Sequence, residues 1–283
     1  MSENIITVNI QGGLGNQMFQ IATLYAIARK YNIKPLVANI SESPSIFKNR
    51  NVYWDSVFSK VNMTDVYSIQ RHKYIVISEK SSKYTKININ QDHLNSYLLN
   101  GYFQSPKYFN KHRDMILDLF TLPDNMMQII NNIKNEITSS FANNKMTVAI
   151  HVRRGDYLKL SHFHIVQNMT YYNMAMDLFD NHNFIVFSDD IEWCKQNFNC
   201  SDTYFMDYNN IKTNINMMPL DVIEMYLMAC FDHNIIGNSS FSWWSAWMNK
   251  NIDKKIVAPS KWFGDKNKND EIKDIYDEGW FVL

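Results

Sequence analysis

Residues 5–38 read IITVNIQGGLGNQMFQIATLYAIARKYNIKPLVA, and their order decides the fold class. Ile5 to Ile10 is a short β-like run. Gln11-Gly12-Gly13-Leu14-Gly15-Asn16-Gln17 breaks it with three glycines. From Met18 to Lys30, Phe19, Ala22, Tyr25, Ala26 and Arg29 recur at helical spacing, with Ile21, Leu24 and Ala28 widening the apolar face. Pro35 to Ala38 then reads as a strand. Strand, glycine turn, helix, strand is the opening of an α/β layered domain.

The same order returns further on. Residues 41–122 are less regular, with short strands expected near Tyr74 to Ile77 and a helix over Phe109 to Leu119. Asp124 to Ser140 is predicted helical, and Asn143-Asn144-Lys145 is a plausible junction. Met146 to Val152 is an apolar run suited to a buried strand. A helix capped by Thr170 and running to about Asp180 is expected next, then a strand at Phe184 to Phe187 and a short helix over 190–197. A strand at Thr203 to Met206, a helix opened by Pro219, a strand at Asn234 to Ile236, a helix over 240–249 and a last strand at Lys255 to Ala258 complete the series. Repeated β-then-α order argues parallel sheets covered on both faces. The expectation is two Rossmann-like domains facing across a cleft, 1–145 and 146–283, with the C-terminal tail free to pack back on the first.

Bulk properties narrow the function. The chain has 283 residues, 46% hydrophobic and 20% charged, enough to bury a core without staples. Net charge is +0, and no long basic run exists, so a nucleic acid partner is not expected. The 3 cysteines, Cys194, Cys200 and Cys230, include no CxxC pair, which argues against a disulfide framework and a cysteine-based zinc site. The N-terminus lacks a basic start followed by an apolar stretch, and no segment approaches the ~20 apolar residues of a membrane span. A cytoplasmic protein is therefore expected. Nothing in the sequence specifies an oligomeric state.

Four stretches carry candidate chemistry. The first is the glycine turn. It lacks the Gly-Lys-Ser/Thr ending of a P-loop, and no acid stands about 20 residues on as a dinucleotide fingerprint requires. Gly13 and Gly15 allow close approach of a ligand, and the amides of Asn16 and Gln17 suit hydroxyl-rich molecules. The second is His151-Val152-Arg153-Arg154-Gly155-Asp156-Tyr157, at the end of the apolar strand, where parallel sheets bind ligands. Alternation sends His151 and Arg153 one way and Arg154 the other. Arg153 offers a planar donor fork for a diphosphate, Arg154 an acid-pairing role, and Asp156 either loop support or a base. The third is Asp189-Asp190 at another strand end, read as a helix cap or as acceptors for a guanine edge. The spaced Asp-x-Asp of cation chelation is absent. The fourth is Asn238-Ser239-Ser240-Phe241-Ser242, whose hydroxyls and helix-start N–H groups form a natural anion site, before Trp243, Trp244 and Trp247, read as core.

GGLGNQMFQ, HVRRGDY, FSDDIEWCK and HNIIGNSSFSWWSAW, in this order and spanning nearly the whole chain, resemble the α-1,2-fucosyltransferases of glycosyltransferase family eleven. The resemblance implies a GT-B fold and inverting transfer of L-fucose from GDP-fucose to the 2-hydroxyl of a terminal galactose, with no cofactor and no metal. It implies that Arg153 grips the diphosphate, His151 the nucleotide and Ser239 to Ser242 the β-phosphate region, while Asn16 and Gln17 face the glycan acceptor. The animal relatives carry a membrane anchor and stem that this sequence lacks, so a microbial or viral form is expected. The alternatives are a non-catalytic sugar-nucleotide or carbohydrate-binding protein, or a transferase using another GDP-sugar or linkage.

Overall fold

The computed structural model describes residues 4–45, 48–90, 95–159, 162–264 and 272–283. Two units emerge. One comprises residues 1–123 and 273–276, the other 124–272 and 277–283. Both are α/β with parallel sheets, the GT-B-like class expected.

In the first unit, β1 (Ile5–Val8) leads through the glycine turn into α1 (Leu14–Tyr31). The helix starts four residues before the expected Met18. Gly13 is its N-cap in extended backbone, and its buried face begins at Leu14 rather than beyond Gly15. Asn32 ends it in the left-handed conformation, φ 54, with Arg29 and Lys30 in the last turn complementing the helix dipole. The sheet runs β2 (Lys34–Pro35), β1, β4 (Ser96–Asn100), β3 (Tyr74–Ser78), all parallel. The interior strand β4 lies in the stretch read as irregular. Its sequence, SYLLN, shows neither alternation nor β-branched enrichment, and only its partners on both sides define it.

The second unit opens with α2 (Asp124–Ser140), whose Ile130, Ile133 and Ile137 form one buried stripe. This helix groups with the second unit, so the division falls at 123/124 rather than at 145. Then follow β5 (Thr147–Val152), α3 (Met169–Met176), β6 (Asn183–Ser188), α4 (Ile191–Asn197), β7 (Thr203–Phe205), α5 (Leu220–Cys230), β8 (His233–Ile235), α6 (Ser240–Met248), β9 (Ile256–Ala258) and β10 (Phe281–Val282). The sheet order is β7-β6-β5-β8-β9-β10, every neighbour parallel. All six residues of β5 are buried, as a central strand covered on both faces must be. Val148, Ile150 and Val152 join Tyr171, Tyr172, Phe184, Val186 and Ile235 in one core. The cap of α3 is Asn168, whose side chain accepts from the Tyr171 amide at 3.2 Å, not Thr170. The three tryptophans of α6 are buried in contact, Trp243 and Trp247 parallel and Trp244 edge-on to both, as expected of core.

Candidate functional site

The carboxyl ends of β5, β6 and β8 bring the second, third and fourth stretches together. Arg153 leaves β5 with its fork held by two carboxylates, Asp156 Oδ1 at 2.8 Å from Nη2 and Asp189 Oδ2 at 3.0 Å from Nη1. Its side chain remains 28% exposed, so the guanidinium is oriented without being sealed. A guanidinium has five N–H donors, which leaves donors for a further anion. Asp189 does more than pair. Its Oδ1 accepts from the backbone amides of Arg154 at 2.8 Å and Gly155 at 3.1 Å, clamping the loop after β5. A Cβ on Gly155 would meet Asp189 Oδ2 at 2.6 Å, so glycine is required by this close approach.

Arg154, like Arg153 just past the end of β5, takes a different partner. Its Nε donates to Asp190 Oδ2 at 3.0 Å, and its guanidinium lies 3.8 Å from the Trp193 ring centroid. Asp190 also caps α4, accepting from the Trp193 amide. Arg154 and Asp190 thus brace the loop, and the capping role falls to Asp190 while Asp189 holds Arg153.

His151 lies inside, 4% exposed, with Nδ1 lacking a hydrogen-bond partner. Burial, with the Arg153 charge beside it, pushes its pKa down to about 3, so the ring is neutral at physiological pH. It sits 5.6 Å from the Phe241 ring. Across from it, Gly237 packs so closely that a Cβ there would stand 3.3 Å from the His151 carbonyl oxygen. Ser239 caps α6, accepting from the Phe241 amide at 3.3 Å. The first-turn N–H groups of α6, starting at Ser240, have no intrahelical acceptor and carry the positive end of the helix dipole. Tyr157 ties the two loops by donating to the Asn238 carbonyl at 3.1 Å.

Some expected ligand contacts act inside the protein instead. Asn238 is buried, donating to the Trp262 carbonyl at 2.9 Å and accepting from Gln167. Ser242 is fully buried, its hydroxyl turned back to the Gly237 and Ser239 carbonyls. The residues that face outward at this turn are Ser240 and Phe241.

Sequence reading missed Glu224 on α5. Burial pushes its carboxyl up to about 7; Tyr208 opposes the rise, Asp221 and Asp189 add to it, and Arg153 opposes it. Glu224 is therefore within electrostatic reach of the Arg153–Asp189 pair. Its signal in the sequence was a lone acid in the otherwise apolar run VIEMYLMAC.

In the first unit, the glycine turn is a loop pinned from below. Gln17 is fully buried, and its Nε2 reaches the Gly12 carbonyl, Ser43 Oγ and the Asn51 carbonyl at 2.9–3.0 Å. The Gly13 carbonyl accepts from the amides of Asn16 and Gln17, and Gly15 is buried within α1. Of this stretch Asn16 remains partly exposed, its Oδ1 accepting from Gln104 Nε2 at 2.7 Å.

Among the described residues no three or more His, Cys, Asp or Glu side chains group as a metal site. Among the described residues no helix is long and apolar enough to cross a membrane.

The model of Glycosyl transferase family 11 matches residues 1–283. The O-antigen biosynthesis glycosyltransferase WbnK of Escherichia coli is 31% identical, over 92% of this chain and 95% of that protein. An alpha-1,2-colitosyltransferase of the same organism is 29% identical over 92% and 93%. A bovine galactoside 2-alpha-L-fucosyltransferase, SEC1 of Bos taurus, is 24% identical over 86% of this chain and 64% of that protein. Among solved structures, the NodZ alpha-1,6-fucosyltransferase soaked with GDP-fucose shares the fold with a TM-score of 0.52 at 11% identity, covering 87% of this chain and 93% of that one. The ADP-heptose heptosyltransferase II of Escherichia coli gives 0.51 at 12% identity, covering 99% and 90%.

Proposed function

The chain belongs to glycosyl transferase family 11, and on that premise we propose that it transfers L-fucose from GDP-fucose to the 2-hydroxyl of a terminal galactose, in α-1,2 linkage, without a metal. The observation that carries this reading is Arg153, fixed by Asp156 and Asp189 at the end of a central strand yet still open to solvent.

Breaking the fucose–phosphate bond leaves added negative charge on GDP. Donors already oriented toward that charge stabilise it without reorganising, and one such donor is worth about 2.7–4 kcal/mol. Arg153 supplies the fork, and the start of α6 at Ser240 supplies a backbone N–H group and a hydroxyl. Neutral His151 lies beneath as a buried floor for the nucleotide. The acceptor hydroxyl attacks the face opposite the leaving diphosphate, oriented by Asn16. Asp156 and Glu224 are the carboxyls available to take its proton, and a carboxyl titrating near 7 suits a general base.

A second reading concerns the donor. The relative named for colitosyl transfer is nearly as similar as WbnK, so a GDP-linked colitose is the competing substrate. Purified protein is incubated in EDTA with GDP-fucose or GDP-colitose and a β-galactoside, and the product linkage is read by NMR. Fucosyl-α-1,2-galactoside in EDTA is the expected product. Exclusive use of GDP-colitose replaces the donor, and no turnover with either across a broad acceptor panel refutes the proposal.

A further inference from the structure

In the first unit, the turn Gly101–Gln104 leaves the carboxyl end of β4 next to the loop that leaves β1, since the two strands pair in register from Ile6 and Tyr97. The turn is held harder than a surface connection requires. Phe103 is buried with φ 53, a conformation that an aromatic residue adopts only when its surroundings impose it. The Glu79 carboxylate imposes it by accepting from the amides of Tyr102 at 2.7 Å and Phe103 at 2.9 Å. Burial raises the pKa of that carboxyl, so the clamp is kept at an electrostatic cost. Gln20 straps the two loops together. Its Oε1 accepts from the Gln11 amide at 3.0 Å, and its Nε2 donates to the Gly101 carbonyl at 3.2 Å.

The outcome is one contact, Gln104 Nε2 donating to Asn16 Oδ1 at 2.7 Å between residues 88 apart. Both side chains are partly exposed. Two carboxamides joined by one hydrogen bond leave an N–H on one and an oxygen on the other, whichever way the pair is turned. That is the complement of two hydroxyls on neighbouring carbons of a pyranose ring, one accepting and one donating. A neutral amide pair also discriminates. A sugar lacking one hydroxyl leaves a polar group of the pair unmatched, which a site built for hydrogen bonds rejects.

We propose that Gln104, paired with Asn16, reads a vicinal diol of the acceptor sugar and is a specificity-determining residue of the transfer. The inference rests on the acceptor-side role given to Asn16 above. It does not depend on which sugar the donor carries.

The test is calorimetric titration of the full chain with two ligands, a β-galactoside and GDP-fucose, using the wild type, Gln104→Ala and Gln104→Met. Gln104→Met keeps the length and removes both the N–H and the oxygen, so it serves if Gln104→Ala fails to fold. The expected result is galactoside affinity lowered about three- to tenfold in either variant, the loss of one hydrogen bond, with GDP-fucose affinity within twofold of wild type. A 2-deoxy or 3-deoxy galactoside should bind the wild type weakly and lose nothing further on substitution, the signature of a direct coupling. Unchanged galactoside affinity in a folded variant overturns the proposal. So does equal weakening of the parent and both deoxy sugars, or failure of the wild type to bind any β-galactoside. Failure of the wild type to bind GDP-fucose instead refutes the donor assignment, while the galactoside titration still decides the role of Gln104.

Discussion

Two loops occupy the same kind of position, the carboxyl end of a central parallel strand, and are built from opposite materials. The loop after β5 is ionic: Arg153 between Asp156 and Asp189, Arg154 on Asp190. The loop after β1 is neutral: Gln17 underneath, Asn16 and Gln104 joined above, Gln20 across. Both are pinned by hydrogen bonds to the loop backbone, so pinning is not what the charges are for. Oriented charge suits a ligand that carries charge and gains more of it as a bond breaks. Paired amides suit a ligand whose polar groups are hydroxyls and must be told apart by position. On the function proposed, the chain divides an anionic donor and a neutral acceptor between two construction schemes.

The strongest way to break that division is Arg153→Ala. It removes the donor fork and takes its positive charge away from the Asp156 and Asp189 carboxylates, which then repel an anionic ligand. Turnover should fall about 10²–10³-fold, with GDP affinity lowered and β-galactoside affinity unchanged, measured by product formation and calorimetry. Arg153→Lys should fall between, because an ammonium restores the charge without the fork that spans both carboxylates. A variant whose turnover drops less than threefold would remove the ionic loop from the reaction.

How much of this was readable in advance follows from where each partner lies along the chain. The strand–glycine–helix opening was legible because period and punctuation are local. So was the pairing of Arg154 with an acid, which a charged residue at a strand end invites. The split role of Asp189 and Asp190 was half legible: capping is local, but which aspartate would meet Arg153 depends on the register of β5 with β6. Gln104 and Glu79 were invisible. Their partners lie 88 residues away for Gln104, and 23 and 24 for Glu79, and the strand that carries the turn holding Gln104, β4, has no periodic pattern. Ser242 and Gln17 erred in the other direction. They lie in motif-like runs, yet their polar atoms serve the turn itself.

The comparison also has a pH dimension, since Gly12 to Gln17 contains no titratable side chain while the ionic loop lies beside two shifted groups. Glu224 titrates at about 7 in the fold against 4.5 unfolded. The stability it contributes is full below 4.5 and is lost as pH rises through 7. His151 titrates at about 3 against 6.5, so its contribution is full above 6.5 and is lost as pH falls toward 3. Between 4.5 and 6.5 the two slopes oppose, each about 1.4 kcal/mol per pH unit. Glu224→Gln should unmask the His151 slope in that window and leave the protein on the order of 3 kcal/mol more stable than wild type at pH 8. Urea denaturation at several pH values measures both. An unaltered pH profile in the variant would mean that Glu224 is not the buried acid described.

The smallest expected effect falls on the neutral loop and separates it most finely from the ionic one. Gly12 has φ +81, and a Cβ there would stand 2.6 Å from Asn16 Nδ2. The backbone cannot swing aside to make room. The Gly12 amide donates to the Pro44 carbonyl at 2.8 Å, and its own carbonyl accepts from Ser43 Oγ at 2.7 Å and Gln17 Nε2 at 3.0 Å. In Gly12→Ala the positive φ keeps its backbone strain, and the clash must be relieved by moving the Asn16 carboxamide, which breaks its match to Gln104. Gly13→Ala is the control, with φ −76 and open space where its Cβ would go. Gly12→Ala should raise the acceptor KM severalfold, up to about tenfold, and leave GDP-fucose affinity untouched. Gly13→Ala should change neither. If instead the two substitutions behave alike, or Gly12→Ala weakens the nucleotide as much as the sugar, then the two loops do not divide their ligands by charge, and the carboxamide pair is scaffolding.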